Sequence, residues 1–157
     1  RFERSPTVAR VFAFLLVALT LKQIFLGALV AGLRAGLTYN TWPLMDGKFV
    51  PPLEHLFNHA PLWMNFFDNV TTVQFDHRIA AYVLLALALL NALLARYAGA
   101  RRRGWTIVLL VLAQAGLGIT TLLLVVPLWA ALLHQVFAML VLGMVVVNAR
   151  RAFPEAP

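Results

Sequence analysis

Four long apolar stretches dominate the chain, separated by short polar joins and by one long mixed segment after the first stretch. Apolar side chains fill positions 11–33, 73–95, 105–126 and 128–147 with few interruptions. A bilayer core ~30 Å thick is crossed by a helix of about 20 apolar residues. The pattern therefore predicts an all-α fold, an integral membrane four-helix bundle forming a single domain over residues 1–157. Little more than Pro127 separates the third and fourth stretches. A proline suits the first turn of a helix, where its missing N–H costs nothing, so this join is predicted to be a tight hairpin. The segment 34–69 cannot be one helix, because it holds Pro43, Pro51, Pro52 and Pro61. It also carries Trp42, Trp63, Phe66 and Phe67. Those rings fit either an aromatic belt at the membrane interface or a lid over something bound at the outer surface.

Composition agrees with a lipid environment. Of 157 residues, 62% are hydrophobic and 12% charged, more apolar surface than a soluble domain of this size can hide. The net charge of +7 raises the possibility of a nucleic-acid partner, but the placement of the charges argues against one. Arg1, Arg4, Arg10, Arg96, Arg101, Arg102, Arg103, Arg150 and Arg151 all fall on one side of the predicted bundle. Asp46, Glu54, Asp68 and Asp76 fall toward the other. Basic loops stay in the cytoplasm, which predicts cytoplasmic termini and an external 34–69 loop. Cysteine is absent, which removes disulfides and thiolate metal sites. The chain starts at Arg1 and not at Met, so it is expected to be a fragment, a processed product or a trimmed chain; no signal peptide is recognisable.

The first and third stretches share Gln-x-x-Leu-Gly: Gln23, Leu26, Gly27 and Gln114, Leu117, Gly118. Each precedes a stretch with a histidine near its outer end, so the chain reads as two related helical hairpins. Gly27, Gly32, Gly116 and Gly118 would allow close approach of helices or of a flat ligand. His77 and His134 each fall about 10–12 Å along their helices from the outer end, at a rise of ~1.5 Å per residue. Ala80 and Ala81 beside the first, and Ala130, Ala131 and Ala138 beside the second, leave room for something wide and flat. Two neutral imidazoles facing each other in a bundle core suit a haem iron. Buried structural histidines, another metal or a proton relay are the alternatives. Arg78 could pair with a haem propionate or anchor the helix at the interface, and Asp76 could neutralise it. His55 and His59, at i and i+4 beside Glu54, form a metal site only if that stretch is helical, and solvated residues are the plainer reading. Lys22 falls near the middle of the first span and is expected to face the bundle interior or a watery cleft.

At these residues the chain resembles the haem A synthase family, membrane enzymes that convert haem O to haem A for cytochrome oxidase. The resemblance rests on QIFLGALVAGLRAGLTYNTWPLMDG (Gln23 to Gly47), VQFDHR (Val73 to Arg78) and ALLHQ (Ala131 to Gln135). It implies eight spans in two four-helix halves, with this chain matching the C-terminal half. That half would hold haem b through His77 and His134, with Arg78 nearby as a further cofactor-binding residue. The family's other half carries a glutamate three residues before its first histidine, where this chain has Gln74. A neutral amide there fits a cofactor half better than a substrate half. The implied reaction oxidises a haem methyl to a formyl group, with haem O as the substrate of the whole enzyme and an N-terminal half or a homo-oligomer as partner. A bacterial plasma membrane is the expected location, with the mitochondrial inner membrane as the alternative. Competing readings are a stand-alone bis-histidine cytochrome b that carries electrons, and a haem-free membrane protein.

Overall fold

The computed structural model describes residues 7–95 and 98–153. Arg1, Arg4 and Arg96, which contribute to the charge asymmetry, lie outside the described residues. The elements are α1 (Thr7–Gly32), α2 (Leu53–Leu56), α3 (Asn65–Asp68), α4 (Val70–Leu93), α5 (Ala98–Leu123) and α6 (Leu128–Ala152), with 3-10 turns at Ala35–Leu37 and Leu62–Met64. The four long helices are each long and apolar enough to cross a membrane. No β-strand occurs among the described residues, only one bridge between Met45 and Lys48. Asp46 and Gly47, both at positive φ, form the two-residue turn inside that bridge.

α1, α4 and α5 start before the apolar windows that predict them and end one to three residues short of the predicted ends, while α6 runs past its window. α5 begins seven residues before the predicted start, at Ala98 in place of Trp105, and so takes in Arg101, Arg102 and Arg103. α6 runs on through Arg150 and Arg151 to Ala152. Arginine is a good helix former, and its long stem lets the guanidinium reach water from a helix end. α4 starts earlier than its apolar window because Asn69 caps it: the Asn69 side chain accepts from the N–H of Thr71 and Thr72. Pro127 stands at the N-cap of α6, one position before the predicted first turn, and its carbonyl accepts from Ala130 and Ala131.

The hairpin between α5 and α6 is as tight as expected. The N–H of Val126 donates to the Thr121 carbonyl and that of Val125 to the Leu122 carbonyl, the paired bonds of a Schellman ending. Val125 and Val126 sit at φ 60° and 56°, a left-handed conformation that a β-branched residue adopts only under strain.

α1 packs on α4, α4 on α5, α5 on α6 and α6 back on α1, closing a ring. The two ends of this bundle differ. Leu16, Leu84, Ala88, Ala92, Ile107, Val108, Val111, Val141 and Val145 form one buried cluster in the half that carries the chain termini. There α4 and α5 approach so closely that a Cβ on Gly104 would lie 2.7 Å from the Cα of Ala92. The half that carries the 34–69 loop is polar inside: Thr20, Asn65, Asn69, Thr72, Gln74 and Thr121 are buried there. Large apolar side chains such as Phe14, Leu109, Leu128 and Val136 face outward along the helices, as lipid contact requires.

Candidate functional site

The polar half of the bundle is built on the repeated glutamines and glycines. Gln23 of α1 faces His77 of α4, and its amide nitrogen donates to the His77 main-chain carbonyl at 3.0 Å. Gln114 of α5 faces His134 of α6 and donates to the His134 carbonyl at 2.9 Å. The Gln23 nitrogen also lies 3.2 Å from the His77 Nδ1. One turn further along, each odd helix presents a glycine to the same ring. A Cβ on Gly27 would stand 3.3 Å from the His77 Cε1, and one on Gly118 would stand 2.8 Å from the His134 Cε1. The two hairpins therefore seat their histidines in the same way. The shared Gln-x-x-Leu-Gly pattern is the sequence trace of that seat: one residue holds the backbone of the histidine and the other makes room for its ring. Gly32 and Gly116 do not share this role, for nothing lies within 4 Å of a Cβ at either.

His134 lies near enough across the bundle for its charge to act on His77. Both are partly buried, with the buried alanines Ala80 and Ala130 on their flanks. Several polar atoms in this region have no partner. The Oε1 of Gln23, the Oε1 of Gln114 and the Nδ1 of His134 are buried and unbonded. A buried polar atom without a partner costs about 1–3 kcal/mol, so three in one small volume call for a ligand or for rearrangement around one. Among the described residues no group of three or more His, Asp or Glu side chains could hold a metal ion. The donor set is a pair of nitrogens without carboxylate or thiolate, which fits a macrocycle that brings its own equatorial ligands and asks the protein for axial ones.

Arg78 turns away from the histidines. Its Nη2 donates to the Tyr39 carbonyl and to the Gln74 Oε1, each at 3.0 Å, and its Nη1 reaches the Leu44 carbonyl at 3.4 Å and the Pro43 carbonyl at 3.5 Å. Its Nε is buried without a partner. Arg78 thus ties the 34–69 loop to α4. Gln74 is occupied at both ends: its nitrogen donates to the Ala35 carbonyl at 2.7 Å while its oxygen serves Arg78. It works as a strut beneath the loop and presents no acid to the site.

Two alternatives left by the sequence are narrowed. Lys22 is exposed, which excludes the bundle interior of its two expected settings. It precedes Gln23 by one residue, and the ~100° step of a helix turns it outward once Gln23 faces α4. Its charge acts on Asp76, so the acid answers Lys22, while Arg78 is served by carbonyls and an amide. The helix that a metal site at His55 and His59 would need is absent, because α2 ends at Leu56, which leaves the plainer reading of the pair. His55 is exposed, and the backbone of His59 is bound to Asn65: its N–H donates to Oδ1 at 3.0 Å and its carbonyl accepts from Nδ2 at 2.9 Å.

Asn65 and Asn69 are loop-fastening residues that the sequence pattern leaves unmarked. The Asn69 amide nitrogen reaches the carbonyls of His55 and Leu56 and the side-chain oxygens of Asn58 and Asn65, all within 3.2 Å. Thr72 adds a hydroxyl donated to the Leu56 carbonyl. These bonds clamp the loop onto the start of α4, a few residues from His77. Edge-to-face contacts of Phe67 with Phe25 and with Trp63 fasten it to α1 as well. The position of Asn69 before an apolar run is the one sequence signal that suits a helix cap.

Fold and site together define a multi-pass membrane protein: a four-helix bundle with one histidine on its second and one on its fourth long helix, the charge of His134 acting on His77. Residues 2–146 match the COX15-CtaA family, described as cytochrome oxidase assembly protein, and the chain belongs to that family. It is 62% identical over 150 residues to a protein named heme A synthase from Methylobacterium sp. (strain 4-46), covering 93% of this chain and 42% of the relative. Proteins of the same name from Methylobacterium radiotolerans (57%, covering 93% and 41%) and Beijerinckia indica subsp. indica (54%, covering 93% and 43%) are also similar. The chain thus spans about two fifths of the length of these curated relatives. No solved structure matches it.

Proposed function

We propose that the chain is the haem b-binding, C-terminal half of a haem A synthase, which oxidises a methyl group of haem O to the formyl group of haem A for cytochrome oxidase assembly. The observation that carries this reading is the duplicated seat, in which each histidine is held by a glutamine and given room by a glycine on the preceding long helix. His77 and His134 would hold the haem iron. A bound haem b supplies reversible one-electron chemistry; the chain supplies ligation, orientation and an apolar surrounding. Arg78 would offer its unpaired Nε–H to a propionate, while its other donors hold the 34–69 loop against α4. Gln74 cannot act as an acid or base, so oxidation of the methyl group falls to another part of the enzyme, an N-terminal half or a second copy. Both termini are cytoplasmic, the 34–69 loop is external, and the membrane is the bacterial plasma membrane, in keeping with the bacterial relatives. The same geometry serves a stand-alone cytochrome b, and the satisfied, non-acidic Gln74 is the observation that favours electron transfer within this half.

The test is absorbance of the purified protein. Reduction should give the sharp α and β bands of a bis-imidazole haem. His77→Ala and His134→Ala should each abolish them, whereas unchanged spectra in both variants would refute the ligand assignment. Addition of haem O, a reductant system and the remaining half of the enzyme then separates the synthase from an electron carrier, by the appearance of the formyl product.

A further inference from the structure

The glutamines have a second functional group whose use the fold leaves open. We infer that Gln23 and Gln114 are positioning residues for the two ligands, each giving its side-chain carbonyl oxygen to the Nδ1–H of the imidazole it faces. The inference rests on the haem reading above. An imidazole that binds iron through Nε2 must keep its proton on Nδ1, and that N–H needs an acceptor, which fixes the tautomer and the ring plane. Among the described residues, the buried side-chain atoms without a partner include just two acceptor oxygens, the Oε1 of Gln23 and of Gln114. Each belongs to an amide already anchored to the backbone of one of the two histidines. The Nδ1 of His134 is itself unbonded, so a donor and an acceptor without partners stand on facing residues. At His77 the amide nitrogen is the atom near the ring, 3.2 Å from Nδ1 and 3.4 Å from Nε2. Iron at Nε2 leaves Nδ1 a donor, so Gln23 turns its oxygen to that N–H and gives up its bond to the His77 carbonyl. Gly27 and Gly118 leave the Cε1 side of each ring clear: a Cβ would stand 3.3 Å from the His77 Cε1 and 2.8 Å from the His134 Cε1, with Nδ1 next nearest at 3.8 and 3.4 Å. The glycine thus keeps open the space beside Nδ1 in which an amide oxygen can meet its N–H.

The acceptor is a neutral amide on both sides, and that has an electronic consequence. A carboxylate in its place would pull on the Nδ1 proton, make the imidazole a stronger donor and favour ferric iron. An aliphatic side chain would leave the N–H unserved and make the imidazole a weaker donor.

The experiment uses the haem-loaded protein purified from membranes, with Gln23→Glu, Gln114→Glu, Gln23→Leu and Gln114→Leu. The glutamate variants should lower the midpoint potential and the leucine variants should raise it. The leucine variants should also lose haem to an external acceptor on the order of 10–100-fold more readily, the usual penalty for removing a ligand's hydrogen-bond partner. The ferric electron paramagnetic resonance signal, which reads the relative orientation of two axial ring planes, should shift in all four. If the leucine variants do not fold, the near-isosteric glutamate pair decides alone through its potential and resonance signal. Native potential, signal and haem retention in the variants that fold would overturn the positioning role, as would shifts of the same sign for Glu and Leu. The ligand assignment has its own control: His77→Ala removes the low-spin spectrum whether or not the glutamines matter, and a native protein without that spectrum sinks the haem reading itself.

Discussion

At the residue scale, the two glycines of the seat differ in tightness, and that difference can be measured. At Gly118 a methyl group would overlap the His134 ring at 2.8 Å, while at Gly27 the clearance to His77 is 3.3 Å. Gly118→Ala should turn the imidazole and weaken haem binding on the order of tenfold or more, with a smaller loss for Gly27→Ala; haem titration followed by absorbance reads both. Val125 supports a second residue-level prediction. Its left-handed backbone closes the Schellman ending of α5, a position that glycine occupies at no steric cost. Val125→Gly should therefore stabilise the hairpin by up to about 1 kcal/mol, seen as a higher thermal midpoint in detergent. The sequence marks the histidines well, because an ionisable group inside an apolar run stands out. It marks Arg78 and Lys22 poorly. The partners of Arg78 are carbonyls some 34 to 39 positions away, and the outward turn of Lys22 follows from which neighbour claims Gln23.

At the element scale, the 34–69 loop owes its shape to two asparagines more than to its aromatic rings. Many of those rings remain exposed, among them Phe49, Trp63, Phe66 and Phe67. Asn69 both caps α4 and gathers four loop acceptors. Asn69→Ala removes a cap worth about 0.5–2 kcal/mol and strands loop carbonyls at about 1–3 kcal/mol. A total near 2–4 kcal/mol should appear in denaturant unfolding, with faster proteolysis of the loop. Helix number and order were legible in the apolar windows, because lipid leaves little choice of structure for such runs. Helix ends were not, since Arg101–Arg103 and Arg150–Arg151 are polar yet helical. The loop's internal bonding was illegible because it depends on main-chain groups, which every sequence supplies alike.

At the scale of the whole molecule, the basic residues at the terminus end, Arg101, Arg102, Arg103, Arg150 and Arg151 among them, should hold that end in the cytoplasm. A reporter active only in the cytoplasm, fused after the chain, should be active, and Arg101, Arg102 and Arg103 changed together to glutamate should reduce that signal. Inversion of the native signal would refute the assigned orientation. The ring of four helices joins two unlike halves, one filled with interlocking aliphatic side chains and one organised around amides, hydroxyls and imidazoles. Local opening is easiest where apolar contacts are fewest, so amide exchange in the haem-free protein should be faster around Gln23 and Gly118 than around Ala88 and Ile107.

That division makes the bundle resemble a clothes-peg. The aliphatic end is the spring, and the histidine end is the pair of jaws. On the proposed haem-binding role, jaws that part to admit a flat plate while the spring stays shut would let the pigment load without dismantling the part that keeps the protein threaded through its bilayer.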